Sequence, residues 1–383
     1  MEITGIICEY NPFHNGHKKQ IDTIRKLQGE NCGIVCLMSG NFVQRGAPAI
    51  IDKSLRAKAA VLCGADLVLE LPVTYALRSA EGFAQGGVDI LSGICTHLCF
   101  GTESGDADSL TKTAELLLSD EFTKSLRVYL DKGLSFPAAR QAALEDLHVD
   151  SSLLTSPNNI LAVEYCKAIL ASRSSLKSLP IIRNGNYHDM VPNKENPSAT
   201  AVREIMETNH VYHAYVPSNA AKCFQSATVH SISAAERAIL AKLRTMSDEE
   251  FAALPFGSEG LWRKLMHAAR SESTLEGIIS ATKSKRYTRT RLNRMIMCAF
   301  LGITEEDLTA TAPYVRVLAL NNRGREILNQ ARNMGNFPNI GEKQDSAYQF
   351  LENRCGDLYG LFAVNIPEPP SMETKQRIFY YDN

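Results

Sequence analysis

The sequence predicts an α/β protein: a doubly wound, Rossmann-like parallel sheet followed by a mainly helical C-terminal part. Two observations support this fold class. Short, continuously apolar runs alternate with amphipathic helical stretches over residues 1–215, as in a parallel sheet that helices cover on both faces. Beyond that point strand-like runs become rare and helical periodicity dominates. We therefore expect one domain at residues 1–215 and a second, mainly helical domain at residues 216–383.

The elements of the first domain follow in order along the chain. Strands are predicted at residues 3–8, 33–38, 66–71, 97–100 and 179–182. Helices are predicted at residues 14–27, 53–63, 80–93 and 159–170 and from Ser198 onward, with a helical insertion near residues 106–150. Right-handed crossovers wind such units into a sheet whose ligands bind beyond the carboxyl ends of the strands. We therefore expect functional residues at the strand-to-loop junctions.

The C-terminal part shows helical periodicity with one exception. Helices are predicted at residues 234–245, 261–269, 275–280 and 291–300. One possible strand, residues 315–320, stands among them.

Charge and cysteine usage narrow the class of protein. Lys and Arg number 41 against 42 Asp and Glu, so a binding site for nucleic acid has to be a local basic patch. The ten cysteines lie mostly in apolar runs without metal-binding spacing, which indicates reduced thiols. No apolar stretch is long enough to cross a bilayer, and the N-terminus has the pattern of a strand rather than a secretory signal. We expect a cytoplasmic protein with neither a membrane nor DNA as partner.

A histidine pair follows the first predicted strand. His14 and His17 are three residues apart at a helix start, so both rings lie on one face of the first turn. That turn offers unpaired N–H groups and the positive end of the helix dipole, which suit a polyphosphate. Gly16 lets a nucleotide or backbone approach closely. Two solvated or capping histidines are the plainer alternative.

A second candidate segment begins the helix after the last predicted strand. Ser198 and Thr200 can cap this helix, while Arg203 can reach phosphate oxygens. The two segments resemble the HxGH and ISSTxxR motifs of the nucleotidyltransferase superfamily, which implies a HUP-like Rossmann fold and catalysis by His14 and His17. Ala199 replaces one expected hydroxyl residue of the second motif.

Longer motifs are similar to one family, the bacterial tRNA(Met) cytidine acetate ligases. The similar segments are residues 8–17, 38–46, 100–103, 156–161, 187–189 and 314–318. The resemblance implies that the chain activates acetate with ATP as acetyl-adenylate and then acetylates the exocyclic amine of the wobble cytidine of elongator tRNA(Met). It also implies ATP as a substrate, with Mg²⁺ accompanying its phosphates, although no metal ligand is identified in the sequence.

The resemblance also implies which residues form the ATP site. They are Ile7, Cys8, Glu9, Tyr10, Asn11, Pro12, Phe13, His14, Asn15, Gly16, His17, Lys18, Lys19, Gln20, Gly101, Asn159, Arg183, Asn184, Ser198, Thr200 and Arg203. The plainer alternatives are a turn at Gly101, a helix cap at Asn159 and a surface charge at Arg183.

A basic segment is the predicted contact with the tRNA. It comprises Lys283, Lys285, Arg286, Tyr287, Arg289, Arg291 and Arg294. Cations neutralise phosphates and a tyrosine ring can stack on a base. A solvated helix face is the alternative. Nearer the first motif, Gln44 and Arg45 are candidates for lining an acid or tRNA pocket.

Two other functions remain compatible with these residues. An adenylyltransferase acting on a small phosphorylated acceptor would use the same histidines, but it has no need of the basic segment. An RNA-binding regulatory protein without chemistry would not need His14, Gly16 and His17 together.

Overall fold

The structure, a computed structural model, describes residues 1–148, 151–182, 197–208, 211–333, 339–340, 346–366, 373 and 376–382. Its strands are β1 Ile3–Cys8, β2 Gly33–Ser39, β3 Phe42–Val43, β4 Ala47–Pro48, β5 Leu67–Leu71, β6 His97–Thr102, β7 Lys177–Ile182, β8 Tyr314–Val315, β9 Val317–Asn321, β10 Asn339–Ile340 and β11 Phe379–Tyr381. Its helices are α1 Asn15–Gln28, α2 Lys53–Leu62, α3 Val73–Ala76, α4 Ala80–Ser92, α5 Ala107–Leu117, α6 Asp120–Asp131, α7 Phe136–Asp146, α8 Pro157–Ala171, α9 Ala199–Glu207, α10 Ser218–Phe224, α11 Glu236–Thr245, α12 Asp248–Ala252, α13 Leu261–Ser271, α14 Leu275–Thr282, α15 Arg289–Leu301, α16 Glu305–Thr309, α17 Asn322–Asn333 and α18 Ser346–Tyr359.

Seven strands form the main sheet, in the order β11-β9-β5-β2-β1-β6-β7. Strand β1 pairs in parallel with β2 on one side and with β6 on the other. The chain therefore reverses its direction of winding at β1, and ligands of doubly wound sheets bind at such a reversal. The predicted α/β class and parallel sheet are confirmed.

The sheet is covered on both faces because its central strands are mostly apolar, with Thr4, Ser39 and Glu70 as polar exceptions in β1, β2 and β5. In β2, Ile34 and Cys36 pack with α1 and α2 on one face, while Val35 and Leu37 pack with α4 and α8 on the other. We call these the α1 face and the α8 face. The predicted insertion near residues 106–150 contains α5, α6 and α7, and it packs on the α8 face.

The C-terminal part contributes both helices and strands. Helices α11 to α15 and α18 surround a third apolar core. Strand β9 pairs antiparallel with β5, and β11 pairs in parallel with β9, so both extend the sheet of the N-terminal part. The strand predicted at residues 315–320 is present, as β8 and β9. The division into two domains at residue 215 stays a prediction. Strands from both sides of that residue belong to one sheet.

A buried cluster of charges beside β5 joins the N-terminal and C-terminal parts. The Lys53 ammonium lies 2.6 Å from a Glu70 oxygen and 2.7 Å from a Glu373 oxygen. Arg316 pairs with Glu373 and, at 3.0 Å, with Glu352. Three carboxyl groups thus share two cations away from water. Burial, followed by the charge of Glu70, raises the pKa of Glu352 from 4.5 to about 7.

The remaining bulk expectations concern thiols and membranes. All ten cysteines are free thiols, as predicted. Within the described residues, no helix combines the length and apolar character needed to cross a membrane.

Candidate active site

One large cleft lies above the carboxyl ends of β1 and β6, where the sheet reverses. Its volume is about 1200 Å³. Pockets for small ligands commonly measure about 300–1,000 Å³. The cleft is lined by the turn after β1, by Gly101 at the end of β6, by the start of α9 and by side chains of α15. It therefore connects both predicted sites, the nucleotide site and the basic segment.

The turn between β1 and α1 brings His14 to the start of the helix. Tyr10 adopts a positive φ of 43° and the Asn11–Pro12 peptide is cis. The Asn11 side-chain oxygen accepts the Ile50 N–H at 2.7 Å, which ties the turn to the loop after β4. His14 is the N-cap of α1, with φ of −136°. The hydrogen bond to Ile50 therefore stabilises the turn, and the turn positions both histidines at the cleft.

His14 and His17 form a capping box that fixes both rings. Nδ1 of His14 accepts the Gly16 N–H at 3.1 Å, and Nδ1 of His17 accepts the His14 N–H at 3.2 Å. Because Nδ1 is an acceptor in each ring, the proton of each neutral imidazole lies on Nε2. The rings stack with centroids 3.7 Å apart. The pair therefore presents two N–H donors of one kind at a helix N-terminus, which suits an anion.

Aromatic side chains support the histidine pair from the α1 face. The rings of Tyr10 and Phe13 lie 4.8 and 5.6 Å from the His17 ring, centroid to centroid. Both are buried. A Cβ on Gly16 would lie 3.0 Å from Cε1 of His14. In this structure the glycine makes room for the His14 ring, a neighbour that the sequence did not reveal.

The start of α9 lies beside this turn, as expected from the second motif. The Ser198 hydroxyl accepts the Ala201 N–H at 3.1 Å and caps the helix. Arg203 donates to the Asn11 carbonyl at 2.8 Å and to the Thr200 hydroxyl at 3.0 Å. Ser198 and Arg203 line the cleft. The structure thus brings the two motifs together, although about 180 residues of sequence lie between them.

Asn159 has a different neighbourhood from the one expected. Its side-chain oxygen accepts the backbone N–H groups of Glu103 and Ser104 at 2.9 and 3.3 Å, and its amide donates to the Ser104 hydroxyl. It is buried beneath the loop that follows β6 and is not among the residues that line the cleft. Asn158, its neighbour, lines the cleft. Direct contact between Asn159 and ATP stays a prediction.

The other predicted ATP-site residues divide by position. Those that line the cleft are Ile7, Cys8, Glu9, Tyr10, Asn11, His14, Gly16, His17, Lys19, Gln20 and Gly101. Phe13 is core, Asn15 bonds the carbonyl of Ala214, and Lys18 pairs with Asp22. Pro12 and Thr200 also lie outside the lining. Arg183, Asn184 and the motif at residues 187–189 lie outside the described residues.

Acidic partners neutralise much of the basic segment. Arg286 pairs with Glu259 at 2.8 Å, and Arg289 forms a two-pronged pair with Glu276. The Tyr287 hydroxyl donates to the Glu259 carbonyl at 2.8 Å. Within the described part of the chain, Lys283 and Lys285 are exposed and make no ion pair. These two lysines therefore carry most of the unneutralised charge.

The other arginines of the segment are more enclosed. Arg291 donates to the Phe256 carbonyl at 3.0 Å and to the Ser258 hydroxyl at 2.9 Å. Arg294 is buried above the Phe256 ring, and burial lowers its pKa to about 10. Arg289 and Arg294 line the cleft.

The hairpin of β3 and β4 closes the cleft on the side of α15. Gly46 has φ of +72°, and a Cβ there would lie 2.4 Å from the backbone nitrogen of Arg294. The hairpin also receives Glu9, whose carboxylate accepts the Gln44 N–H at 2.8 Å. Gln44 and Arg45 line the cleft, as the sequence suggested.

Arg56 supports the cleft from beneath, a role that its position in the sequence does not reveal. Its guanidinium is fully buried and donates to the carbonyls of Ile51, Glu9, Ser39 and Gly40. It thereby holds the carboxyl ends of β1 and β2 together. Nothing in the local sequence distinguishes it from a surface arginine of α2.

The described residues provide no ready cluster of metal ligands. Among them, no group of three or more His, Cys, Asp or Glu side chains could hold a metal ion. Mg²⁺ commonly takes one or two carboxylates together with substrate phosphates and water. A magnesium ion at this cleft would therefore depend on the phosphates of a bound nucleotide for most of its ligands.

Comparison with known proteins agrees with this geometry. The family model described as HIGH Nucleotidyl Transferase matches residues 1–369. A tRNA(Met) cytidine acetate ligase of Clostridium novyi (strain NT) is 38% identical over 357 residues, covering 88% of this chain and 89% of that protein. One of Clostridium perfringens is 37% identical over 377 residues, covering 91% and 93%.

Solved structures extend the likeness to three dimensions. The apo crystal structure (form I) of Thermotoga maritima TmcAL superposes with a TM-score of 0.92 at 28% identity, covering all of both chains. The form of that protein bound with alpha-thio ATP superposes with a TM-score of 0.88 at the same identity and coverage. Matches of this length, together with the paired histidine and arginine motifs, show that the chain belongs to the tRNA(Met) cytidine acetate ligase family of HIGH nucleotidyl transferases.

Proposed function

We propose that this chain is an ATP-dependent ligase that joins acetate to the exocyclic amine of the wobble cytidine of elongator tRNA(Met), giving N4-acetylcytidine, AMP and pyrophosphate. The observation that carries the proposal is the single cleft. Its lining includes both the histidine pair and side chains of the basic helix α15. A nucleotide and an RNA acceptor can therefore meet in one enclosure.

The first step is activation of acetate. An acetate oxygen attacks the α-phosphorus of ATP, the bond to the β-phosphate oxygen breaks, and pyrophosphate leaves with acetyl-adenylate remaining. His14 and His17 donate from Nε2 to the phosphate oxygens, at a helix N-terminus that favours negative charge. Arg203, held by the Asn11 carbonyl, adds a fixed cation beside the same turn. No covalent enzyme intermediate is required.

The second step is acyl transfer. The cytidine amine attacks the acetyl carbonyl carbon, and the bond from that carbon to the phosphate oxygen breaks. AMP leaves with the bonding electrons, and the nitrogen gives up one proton. The wobble base has to leave its stack to reach the cleft. Residues 216–383 are the proposed tRNA-binding part, with Lys283, Lys285, Arg286, Tyr287, Arg289, Arg291 and Arg294 as the proposed contacts.

The proposed reaction also implies a metal ion and a cellular compartment. Mg²⁺ would reach the site on the phosphates of ATP, since the described residues include no metal cage. The ion would offset charge on the phosphates. The cytoplasm, where tRNA is found, is the proposed compartment.

Mass spectrometry of tRNA tests the proposal. Purified protein with ATP, acetate and unmodified elongator tRNA(Met) is expected to give acetylcytidine, whereas omission of acetate is expected to give none. ATP–pyrophosphate exchange measured in parallel separates the alternatives. Exchange that needs acetate supports the ligase, exchange without acetate supports an adenylyltransferase on another acceptor, and no exchange supports an RNA-binding protein without chemistry.

A further inference from the structure

Part of the cleft lies on the α8 face of the sheet, away from the histidine pair. The histidines and their aromatic support lie on the α1 face of the sheet. Across the ends of β1 and β6, on the α8 face, the lining is formed by Phe83 of α4, Phe100 of β6 and Leu161 and Tyr165 of α8. We call these four residues, together with Glu9, the aromatic slot.

The slot is apolar on its walls and polar at two points. Phe83, Phe100 and Tyr165 are 3%, 5% and 3% exposed, and the rings of Phe100 and Tyr165 lie 5.5 Å apart, tilted by 37°. Within the described part of the chain, the Tyr165 hydroxyl has no hydrogen-bond partner, and the residue lines the cleft. A hydroxyl at the cleft lining can donate to a ligand that binds there.

Charge near Tyr165 keeps its hydroxyl a donor. Burial raises the pKa of Tyr165 well above its usual value, and the neighbouring Cys8 and Glu9 raise it further. The Glu9 carboxylate also lines the cleft, and its oxygen accepts the Gln44 N–H at 2.8 Å on the hairpin side. The slot thus offers one hydroxyl donor and one carboxylate acceptor beside apolar side chains.

We propose that the aromatic slot receives the extruded cytosine of the acceptor RNA, with Glu9 accepting an N–H of its exocyclic amine and Tyr165 donating to its ring acceptors. This inference rests on the proposed function and names the residues that select the base. Cytosine carries a donor amine at the position where uracil carries an acceptor oxygen. A carboxylate facing that position therefore favours cytosine and repels uracil.

Two features of the cleft favour an RNA base over the adenine of ATP in this slot. The phosphate-binding elements, α1 and α9, start beside the turn on the α1 face, where Ile181, Ile182 and Gly101 also line the cleft. The slot is instead next to the hairpin that contacts α15, the helix of the basic segment. An acceptor bound along α15 therefore approaches the slot from the hairpin side.

Two variants of the slot test the inference. Tyr165→Phe removes the hydroxyl, and Leu161→Trp fills the slot with a larger ring. Tyr129→Phe is the matched control, because the Tyr129 hydroxyl bonds Asp146 on the exposed side of α6 and α7. For each protein, one measures acetate-dependent ATP–pyrophosphate exchange and the single-turnover yield of acetylcytidine from preformed acetyl-adenylate.

We expect acetyl transfer to fall about tenfold more than pyrophosphate exchange in both slot variants, a difference of the size expected for loss of one buried hydrogen bond. We expect Tyr129→Phe to change neither rate. Equal losses in both reactions, with a raised KM for ATP, would assign the slot to the nucleotide and overturn the inference. Unchanged transfer in both slot variants would overturn it as well. A wild-type protein that exchanges pyrophosphate with acetate but never acetylates tRNA would instead remove the proposed acceptor, and the cytosine with it.

Discussion

The imidazole rings of His14 and His17 stack with planes 19° from parallel, and each ring accepts a backbone N–H through Nδ1. The capping of α1 and the orientation of the two Nε2–H donors therefore depend on the same two hydrogen bonds. A change that frees either ring also loosens the start of the helix. This coupling makes the pair a rigid donor site, which is the condition for stabilising charge on a departing phosphate.

Loss of the histidine pair should abolish activation. We expect His14→Ala with His17→Ala to lower acetate-dependent ATP–pyrophosphate exchange by about 10³-fold, because donors aimed at developing charge contribute on that order. His267→Ala, an exposed histidine of α13, serves as the control and should leave exchange unchanged. Retention of more than about a tenth of the rate in the double variant would remove the pair from the chemistry.

Gly16→Ala should impair activity more than stability. The new Cβ would lie 3.0 Å from Cε1 and 3.2 Å from Nδ1 of His14, so the ring has to shift. We expect the exchange rate to fall at least about tenfold, as a misplacement of this kind allows. Exchange and thermal unfolding are measured side by side.

Gly29→Ala, at the other end of α1, is the converse control. Gly29 has φ of +90°, and a Cβ at this residue would meet nothing within 4 Å, so the cost is backbone strain alone. We expect a loss of about 1–3 kcal/mol in the free energy of unfolding with normal exchange. If Gly29→Ala lowers exchange as much as Gly16→Ala does, crowding of His14 is not the cause.

Affinity for tRNA should depend most on the two exposed lysines. Lys283→Ala and Lys285→Ala should each lower the slope of log affinity against log salt by about 1, since each releases one phosphate contact. Arg286→Ala should change the slope less, because Glu259 pairs with Arg286. Filter binding between about 50 and 200 mM salt measures the slopes. Equal slopes for all three variants would contradict this ranking.

The buried charge cluster predicts a pH-dependent stability. The pKa of Glu352 rises from 4.5 to about 7 in the folded protein, so the folded state holds a proton that the unfolded state releases between these values. Stability from this group is complete below about pH 4.5 and is lost as the pH rises to about 7. The loss amounts to no more than roughly 3 kcal/mol.

Urea unfolding at a series of pH values measures this effect. We expect Glu352→Gln to flatten the decline in unfolding free energy between about pH 5 and 7. Glu121→Gln, on the exposed side of α6, should leave the wild-type profile. A decline that persists unchanged in Glu352→Gln would assign it to other groups.

The sequence predicts most of the sheet because its central strands are mostly apolar. The run at Gly33–Ser39 is buried throughout, and its polar residue, Ser39, stands at the end of the strand. The pairing that extends the sheet through β9 and β11 is not predicted from the sequence, for the opposite reason. Strand β11 is three residues long and largely exposed, and the antiparallel pairing of β9 with β5 joins positions about 250 residues apart. Local periodicity carries no information about such pairing.

The nucleotide end of the site was predicted from short-range spacing, and its support was not. His14, Gly16 and His17 lie within one helical turn, so their spacing alone brings them together. Tyr165 and Arg56 act at the cleft from other helices and have no local signal. Asn159 shows that a local signal can also mislead. An amide near a strand end can accept hydrogen bonds from the loop backbone as readily as it can bind a ligand.

The strand order also has a consequence for synthesis of the protein. Strand β5 receives its second neighbour, β9, only after residue 321 has been added, and β9 receives its own only at residues 379–381. Until β9 has been synthesised, β5 presents an open row of backbone N–H and C=O groups, which other chains can pair with. A nascent chain stalled between β5 and β9 is therefore the form of this protein most in need of a chaperone.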